Sequence, residues 1–348
     1  MDMLAPGGTT KRALLIWGGL LALVVVAFIA TVVILNATVY SASGFVRGYL
    51  GALDRGDTNS ALHLAGVQPG AEDDLLAVPE EGRVRDFHTT RDVVSGGVHR
   101  VAAEFRLGRD EGGQDGKDSN DGQDSKNSQS EIRRATFAVE RDGTIAGLFS
   151  GWKFTTAPTA SVEVTPLHDP RFEANGVDIR AASADLATRY TVLAPAVFDL
   201  THDSTYLTAK TTTVVAASPG TVARATVSVV PKASFLSKVK VDVTKYLKTT
   251  CLPQRVLLPA GCPFGEEVDD RLTSDPRWSM TTYPPVALRA TATPGVWLVT
   301  RATGRAHLEV DTQSLYDGSD VPISRDVPFQ VEYLVTIGSD NGLTITPR

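Results

Sequence analysis

Apolar positions follow three different rhythms along this chain. From Ala13 to Leu35 they are continuous, ALLIWGGLLALVVVAFIATVVIL, and no charge appears from the start of the run until Arg47. About 20 apolar residues in a helix cross the hydrocarbon layer of a bilayer. Lys11 and Arg12 stand directly before the run, and basic residues mark the cytoplasmic flank of a membrane span. Residues 1–12 are therefore expected in the cytoplasm, 13–35 as a single transmembrane helix, and the rest outside the cell. A cleavable signal would have a shorter apolar core and a small-x-small site. The nearest such site, Ser41-Ala42-Ser43, follows a run too long for that, so the reading is an uncleaved anchor.

The second rhythm is helical. Tyr40, Phe45, Tyr49, Leu50 and Leu53 recur at helical spacing, Gly56 is placed to stop that helix, and Asp57 or Thr58 can cap a short second one through Leu64. A later helix places Phe235, Leu236, Val239, Val243, Tyr246 and Leu247 on one face, with Lys238, Lys240, Lys245 and Lys248 largely elsewhere.

The third rhythm has a period of two. VRDFHTTRDVV, HRVAAEFRLG, RRATFAVERDG and TIAGLFSGWKFTTA read as successive antiparallel strands, with Asp142-Gly143 as the hairpin turn between the last two. From Ala157 to Lys232 the strands SVEVTP, GVDIRA, TYLTAKTTTVVAA and TVARATVSVVP suggest a small β-sandwich of immunoglobulin-like type. The one helical candidate there is Ala181–Ala187. Near the end, RWSMTTYPPVALRA, GVWLVTRATG, RAHLEVDT and VPFQVEYLVTIG alternate as strands. Val327, Phe329, Val331, Tyr333, Val335 and Ile337 share one face, and Asp340-Asn341-Gly342 turns into a final LTITP.

The expected organisation is thus α+β with an all-β module: an α+β domain over 40–156, the β-module over 157–231 and a second α+β domain over 232–348. The outer two share an element order of helix, loop, strand, hairpin and a closing strand pair. Their hairpin tips, Arg109–Glu131 and Thr312–Asp326, are the variable parts. The first tip, RDEGGQDGKDSNDGQDSKNSQSE, has no aromatic or branched aliphatic residue and reads as a disordered insertion. An acidic calcium loop through Asp115, Asp118, Asp121 and Asp124 is the sharper alternative, but it lacks an EF-hand or β-roll pattern.

Composition sharpens this picture at two points. The net charge of -6, with no basic stripe, argues against a nucleic-acid surface. Cys251 and Cys262 are the only cysteines. Outside a membrane they are expected to form a disulfide. Zinc would need two more ligands at suitable spacing, and the spacing is not that of a CxxC redox pair.

No motif for a nucleophile, P-loop, dinucleotide site or HExxH zinc site is present. No catalytic, cofactor or metal residue is assigned, and no cofactor is expected. His63, His88, His99, His168, His202 and His307 are scattered; His307 reads as facing solvent, while His168-Asp169-Pro170 and His202-Asp203 read as turns. Trp152, Trp278 and Trp297 read as core residues of their sheets.

The stretch YSASGFVRGYLGALDRGDTNSALHLAG, with GLFSGWKFTTAP closing its domain, resembles the NTF2-like, cone-shaped α+β domains of bacterial envelope proteins. TKYLKTTC, PAGCPFG and RWSMTTYP look like a second such domain from uncharacterised membrane-anchored actinobacterial proteins. The resemblance implies architecture and location but no catalytic residues. Because related cones elsewhere hold an acid in an apolar setting, Tyr49, Asp86 and His88 are the pocket candidates. The functional expectation is a non-enzymatic binding or scaffolding component of the cell envelope. It would be held to the membrane by its N-terminal helix and would face an envelope protein or a cell-wall polymer. The alternatives are a small hydrophobic ligand in one cone and, behind that, an isomerase or hydrolase.

Overall fold

The structure is a computed structural model that describes residues 9–68, 76, 84–108, 131–338 and 340–348. The candidate insertion and its calcium alternative lie at 109–130, outside the described residues, as does most of the expected cytoplasmic segment. The first element is helix α1 (Thr9–Thr38). Its stretch Leu15–Thr38 is long and apolar enough to cross a membrane, and none of its residues is buried.

Helix α2 (Ala42–Asp54) begins where the Ser41 side chain accepts the Gly44 N–H, and it buries Val46, Tyr49, Leu50 and Leu53. Asp57 caps α3 (Thr58–Ala65), which ends at left-handed Gly66. These helices cover one face of an antiparallel sheet in the order β1 (Val84–Ser95), β2 (Val98–Leu107), β3 (Arg133–Ile145), β4 (Phe149–Phe154). Strand alternation sends Val101, Ala103, Phe105, Phe137, Val139 and Phe154 against α2, forming one core with Tyr49 and Leu50.

Asp142-Gly143 does not make the hairpin turn. The β3–β4 register shifts between Arg141 and Thr144, so the pair forms a bulge inside β3. Gly143 takes a φ of 69°, and the chain reverses at Ala146-Gly147 instead. The same Asp-Gly signal serves a bulge as well as a turn, since both need a positive φ.

The middle strands are β5 (Thr159–Leu167), β6 (Arg171–Ala174), β7 (Val177–Arg180), β8 (Thr188–Leu193), β9 (Ala196–Asp203), β10 (Leu207–Ala216) and β11 (Val222–Pro231). They form a single seven-stranded sheet, β7-β6-β9-β10-β11-β5-β8, in place of the expected two-sheet sandwich. Alternation shows which residues are strands but not which strands pair. The helix expected at Ala181–Ala187 is absent. Asp185 takes a left-handed φ of 63°, and its carboxylate accepts the backbone N–H of His168.

Helix α4 (Ala233–Tyr246) buries Phe235, Val239 and Val243. It runs into a single π turn, Leu247–Cys251, that buries Leu247 and Cys251. Cys251 and Cys262 form the expected disulfide, with Cα atoms 5.7 Å apart. Inside the ring Gln254 braces the loop, accepting from Ala260 N at 2.8 Å and donating to Ala260 O at 3.1 Å.

The last sheet is built on β15 (Val296–Gln313) and β16 (Asp320–Ile337). Strands β12 (Arg271–Leu272), β13 (Arg277–Thr282) and β14 (Leu288–Ala290) pair with β15, and β17 (Leu343–Pro347) pairs with β16. GVWLVTRATG and RAHLEVDT are therefore one strand, not two. Gly304 stops nothing: a Cβ there would lie 2.4 Å from the Phe329 ring, so the missing side chain is what admits that ring. The hairpin tip is also tighter than Thr312–Asp326, because Gln313 already pairs with Asp320.

The chain resolves into two compact units. One comprises Met1–Glu163, Arg189–Asp199 and Thr213–Ala225; the other comprises Val164–Thr188, Leu200–Thr212 and Thr226–Arg348.

Candidate functional site

The three residues expected at a pocket do not converge. Tyr49 is 0% exposed and sits among Phe45, Phe137 and Phe154, with edge-on contacts to the last two. Its hydroxyl donates to Ala194 O at 2.9 Å, and burial pushes its pKa far up. Asp86 stands in a bulge at φ 48°, its side chain 74% exposed and 3.8 Å from the Arg106 guanidinium. The His88 side chain is 61% exposed, with Nε2 3.5 Å from Glu104. Tyr49 thus belongs to the packed core of helices and sheet, while Asp86 and His88 stand at the surface.

The C-terminal sheet differs. Between α4 and the β16–β17 edge lies a groove of about 350 Å³ lined by Asp242, Val243, Tyr246, Tyr333, Leu343, Ile345 and Pro347. Strand alternation puts Leu343, Ile345 and Pro347 on the groove side of β17, while the 3.6-residue helical period brings Val243 and Tyr246 to one side of α4. The Tyr246 ring is 37% exposed, yet its hydroxyl is anchored, donating to Gly261 O of the cystine loop at 2.8 Å. Opposite it, Tyr333 is 6% exposed; burial, and then the neighbouring Tyr246, push its pKa up. At the rim the Asp242 carboxylate holds Lys238 Nζ at 2.7 Å to both oxygens. Two aromatic walls, an aliphatic strand and one neutralised acid make a surface suited to apolar or aromatic groups.

Two further clusters could not be read from the sequence. On the exposed face of the last sheet, His307 Nδ1 lies 2.8 Å from Asp326 Oδ1 and Nε2 lies 3.2 Å from Ser324 Oγ. Thr281 also donates to Asp326, and the His307 hydrogen bond leads the effects that lower the Asp326 pKa. The order hydroxyl, imidazole, carboxylate is that of a nucleophilic relay. Here, however, Ser324 and Asp326 are exposed to solvent, and Glu309 stands 3.9 Å from Nε2. Such a relay works in an enclosed site with donors for a developing oxyanion. The pairing of His307 with Asp326 and of Glu309 with Ser324 follows from the β15–β16 register, which no spacing rule gives.

The second cluster is at β6 and β9. Asp169 is buried and takes a bidentate bond from Arg171 at 2.9 and 2.6 Å. Burial raises its pKa, but the Arg171 bonds outweigh this and hold it below the usual carboxylate value. His202, expected in a turn, is buried at the end of β9 with Nδ1 2.9 Å from Arg171 O. Arg171 and His202, with Glu173, Asp178, Arg180 and Asp203, line a mixed-charge cavity of about 330 Å³. Among the described residues, no group of three or more His, Cys, Asp or Glu side chains is placed to hold a metal ion.

Trp278 and Trp297 are buried in their sheet as expected. Trp152 is only half-buried, and its Nε1 donates to Tyr40 O at 2.7 Å.

No protein-family model matches the chain, and no curated protein matches it. Among solved structures the chain is similar to an Ntf2 like protein involved in plasmid conjugation, at 9% identity over 77% of this chain and 78% of that one. The TM-score of 0.13 is too low to assign a fold.

Proposed function

We propose that the chain is a single-pass, membrane-anchored extracytoplasmic protein of the cell envelope that works by binding, not catalysis. Its two helix-on-sheet regions would be NTF2-like, with an envelope protein or a cell-wall polymer as the partner. The observation that carries the binding role is the α4–β17 groove, where aromatic and aliphatic side chains line open space. The anchor reading draws support from the way α1 ends. Cleavage near Ser41 would remove Asn36 and Tyr40, which the folded domain uses: Asn36 bonds both Leu148 O and Ser150 N, and Tyr40 stacks on Phe149 at 4.3 Å. The disulfide fits an oxidising compartment.

A second reading, a small hydrophobic ligand held in the groove, is favoured by the facing Tyr246 and Tyr333. One experiment separates the two. A photo-crosslinking residue replaces Ile345 in cells, and adducts are identified by mass spectrometry. One dominant envelope protein or wall fragment, lost when Tyr246→Ala is added, supports the binding role. A small lipid-soluble adduct selects the second reading. No adduct sensitive to Tyr246 removes the groove as the site. A reporter fused after Arg348 checks the orientation, which cytoplasmic activity would overturn.

A further inference from the structure

Helix α1 does not end in a free linker. Asn36 is near its C-terminal end, and its side-chain amide is bonded to the end of the β3–β4 turn and to the start of β4. Nδ2 donates to Leu148 O at 2.9 Å, and Oδ1 accepts from Ser150 N at 2.8 Å. The stacked Tyr40–Phe149 rings and the Trp152–Tyr40 bond fasten the same edge four residues on. The α1–α2 elbow is tight as well: a Cβ on Gly44 would lie 2.1 Å from Val39 O. Together these contacts fix the height of the β3–β4 tip relative to α1.

That height is informative. Asn36 lies 21 residues beyond Leu15, the start of the apolar span, or about 32 Å at the helical rise. The hydrocarbon layer is about 30 Å thick. The tip is thus held where the last apolar turns of α1, with exposed Val33 and Ile34, leave the hydrocarbon. Its own composition matches that depth. Thr144 to Trp152 reads TIAGLFSGW, with no charge, and Ile145 and Leu148 are about half exposed although apolar. Exposed apolar residues clustered beside a membrane span mark a lipid contact. The β1–β2 tip lies at the same end of the sheet and carries exposed Val93 and Val94.

We propose that the β3–β4 tip, through Ile145 and Leu148, seats in the outer interface of the bilayer that α1 crosses, making a second membrane contact that orients the first domain. This rests on the anchor reading of α1. The occupant is the lipid surface, because the bonds from Asn36 hold the tip to the span itself.

The test uses the full chain reconstituted in lipid vesicles, labelled at single introduced cysteines without reductant, so that the paired Cys251 and Cys262 do not react. An environment-sensitive fluorophore is placed at Leu148→Cys, at Val26→Cys within α1, and at the exposed Val222→Cys as a solvent reference. Quenching by lipids spin-labelled near the headgroup should be several-fold stronger at position 148 than at 222, while position 26 is quenched by deep labels. If 26 is quenched but 148 behaves like 222, the proposal is overturned and the anchor stands. If 26 is not quenched, both fall.

Discussion

Two tyrosines mark the contrast between the N-terminal and C-terminal helix-on-sheet regions. Tyr49 on α2 and Tyr246 on α4 each project from a helix, and each donates its hydroxyl to a backbone carbonyl at nearly the same distance, 2.9 Å to Ala194 and 2.8 Å to Gly261. Tyr49 is fully enclosed; Tyr246 is more than a third exposed. In the first region a second helix, α3, helps close the core. In the second, a cystine loop takes the place after the helix and braces it without covering the β17 side. The hydrogen bond alone does not decide the role of a side chain. What surrounds the ring makes one tyrosine a core residue and the other a groove wall.

The sharpest way to break this contrast is truncation. Tyr49→Ala should cost about 3–5 kcal/mol through the cavity it leaves, while Tyr246→Ala should cost about 1 kcal/mol, as expected for one solvent-exposed hydrogen bond. Equal shifts in denaturant midpoint for the two variants would sink the comparison. Next comes the staple. Replacing both Cys251 and Cys262 with serine should remove about 3 kcal/mol, the value for closing a ring of this size. Hydrogen exchange should rise in α4 and β17 and stay unchanged in α2; a uniform rise would mean that the staple does not act locally.

The hydroxyls alone give a smaller contrast. Tyr49→Phe leaves the buried Ala194 carbonyl short of a donor, for about 1–3 kcal/mol. Tyr246→Phe should fall near the bottom of that range, because water replaces the donor at Gly261; melting temperatures decide. The smallest effect is in alkaline solution. The raised pKa of Tyr333 means that the folded chain keeps this proton longer than the unfolded chain does. Its contribution is complete below the unfolded value near 10 and is lost as pH rises through the folded one. Tyrosinate absorbance should show a late-titrating group that disappears in Tyr333→Phe.

Much of the scaffold was legible because it rests on local rules. The cap at Asp57, the apolar face of α4 and the unbroken alternation from Val327 to Ile337 each follow from side-chain periodicity within a few residues. The disulfide followed from compartment and count. Pairing was not legible. The single middle sheet, the bulge at Asp142-Gly143 and the passage of β15 through Gly304 depend on partners tens of residues away. The site was less legible still. Tyr49, Asp86 and His88 are near one another in the chain order of elements, but burial separates the first from the others. The groove needed the placement of β17 against α4, and Tyr333 had been visible only as one member of an apolar stripe.

The cystine loop has a consequence for chain integrity. Arg255 is exposed, and so are Val256 and Leu258 beside it, which offers a protease an accessible stretch. A single cut between Cys251 and Cys262 would sever the polypeptide without releasing either half, since the sulfur bridge spans the nick. The two products would part only on a reducing gel, and α4 would stay tethered through Cys251 to the strands that follow.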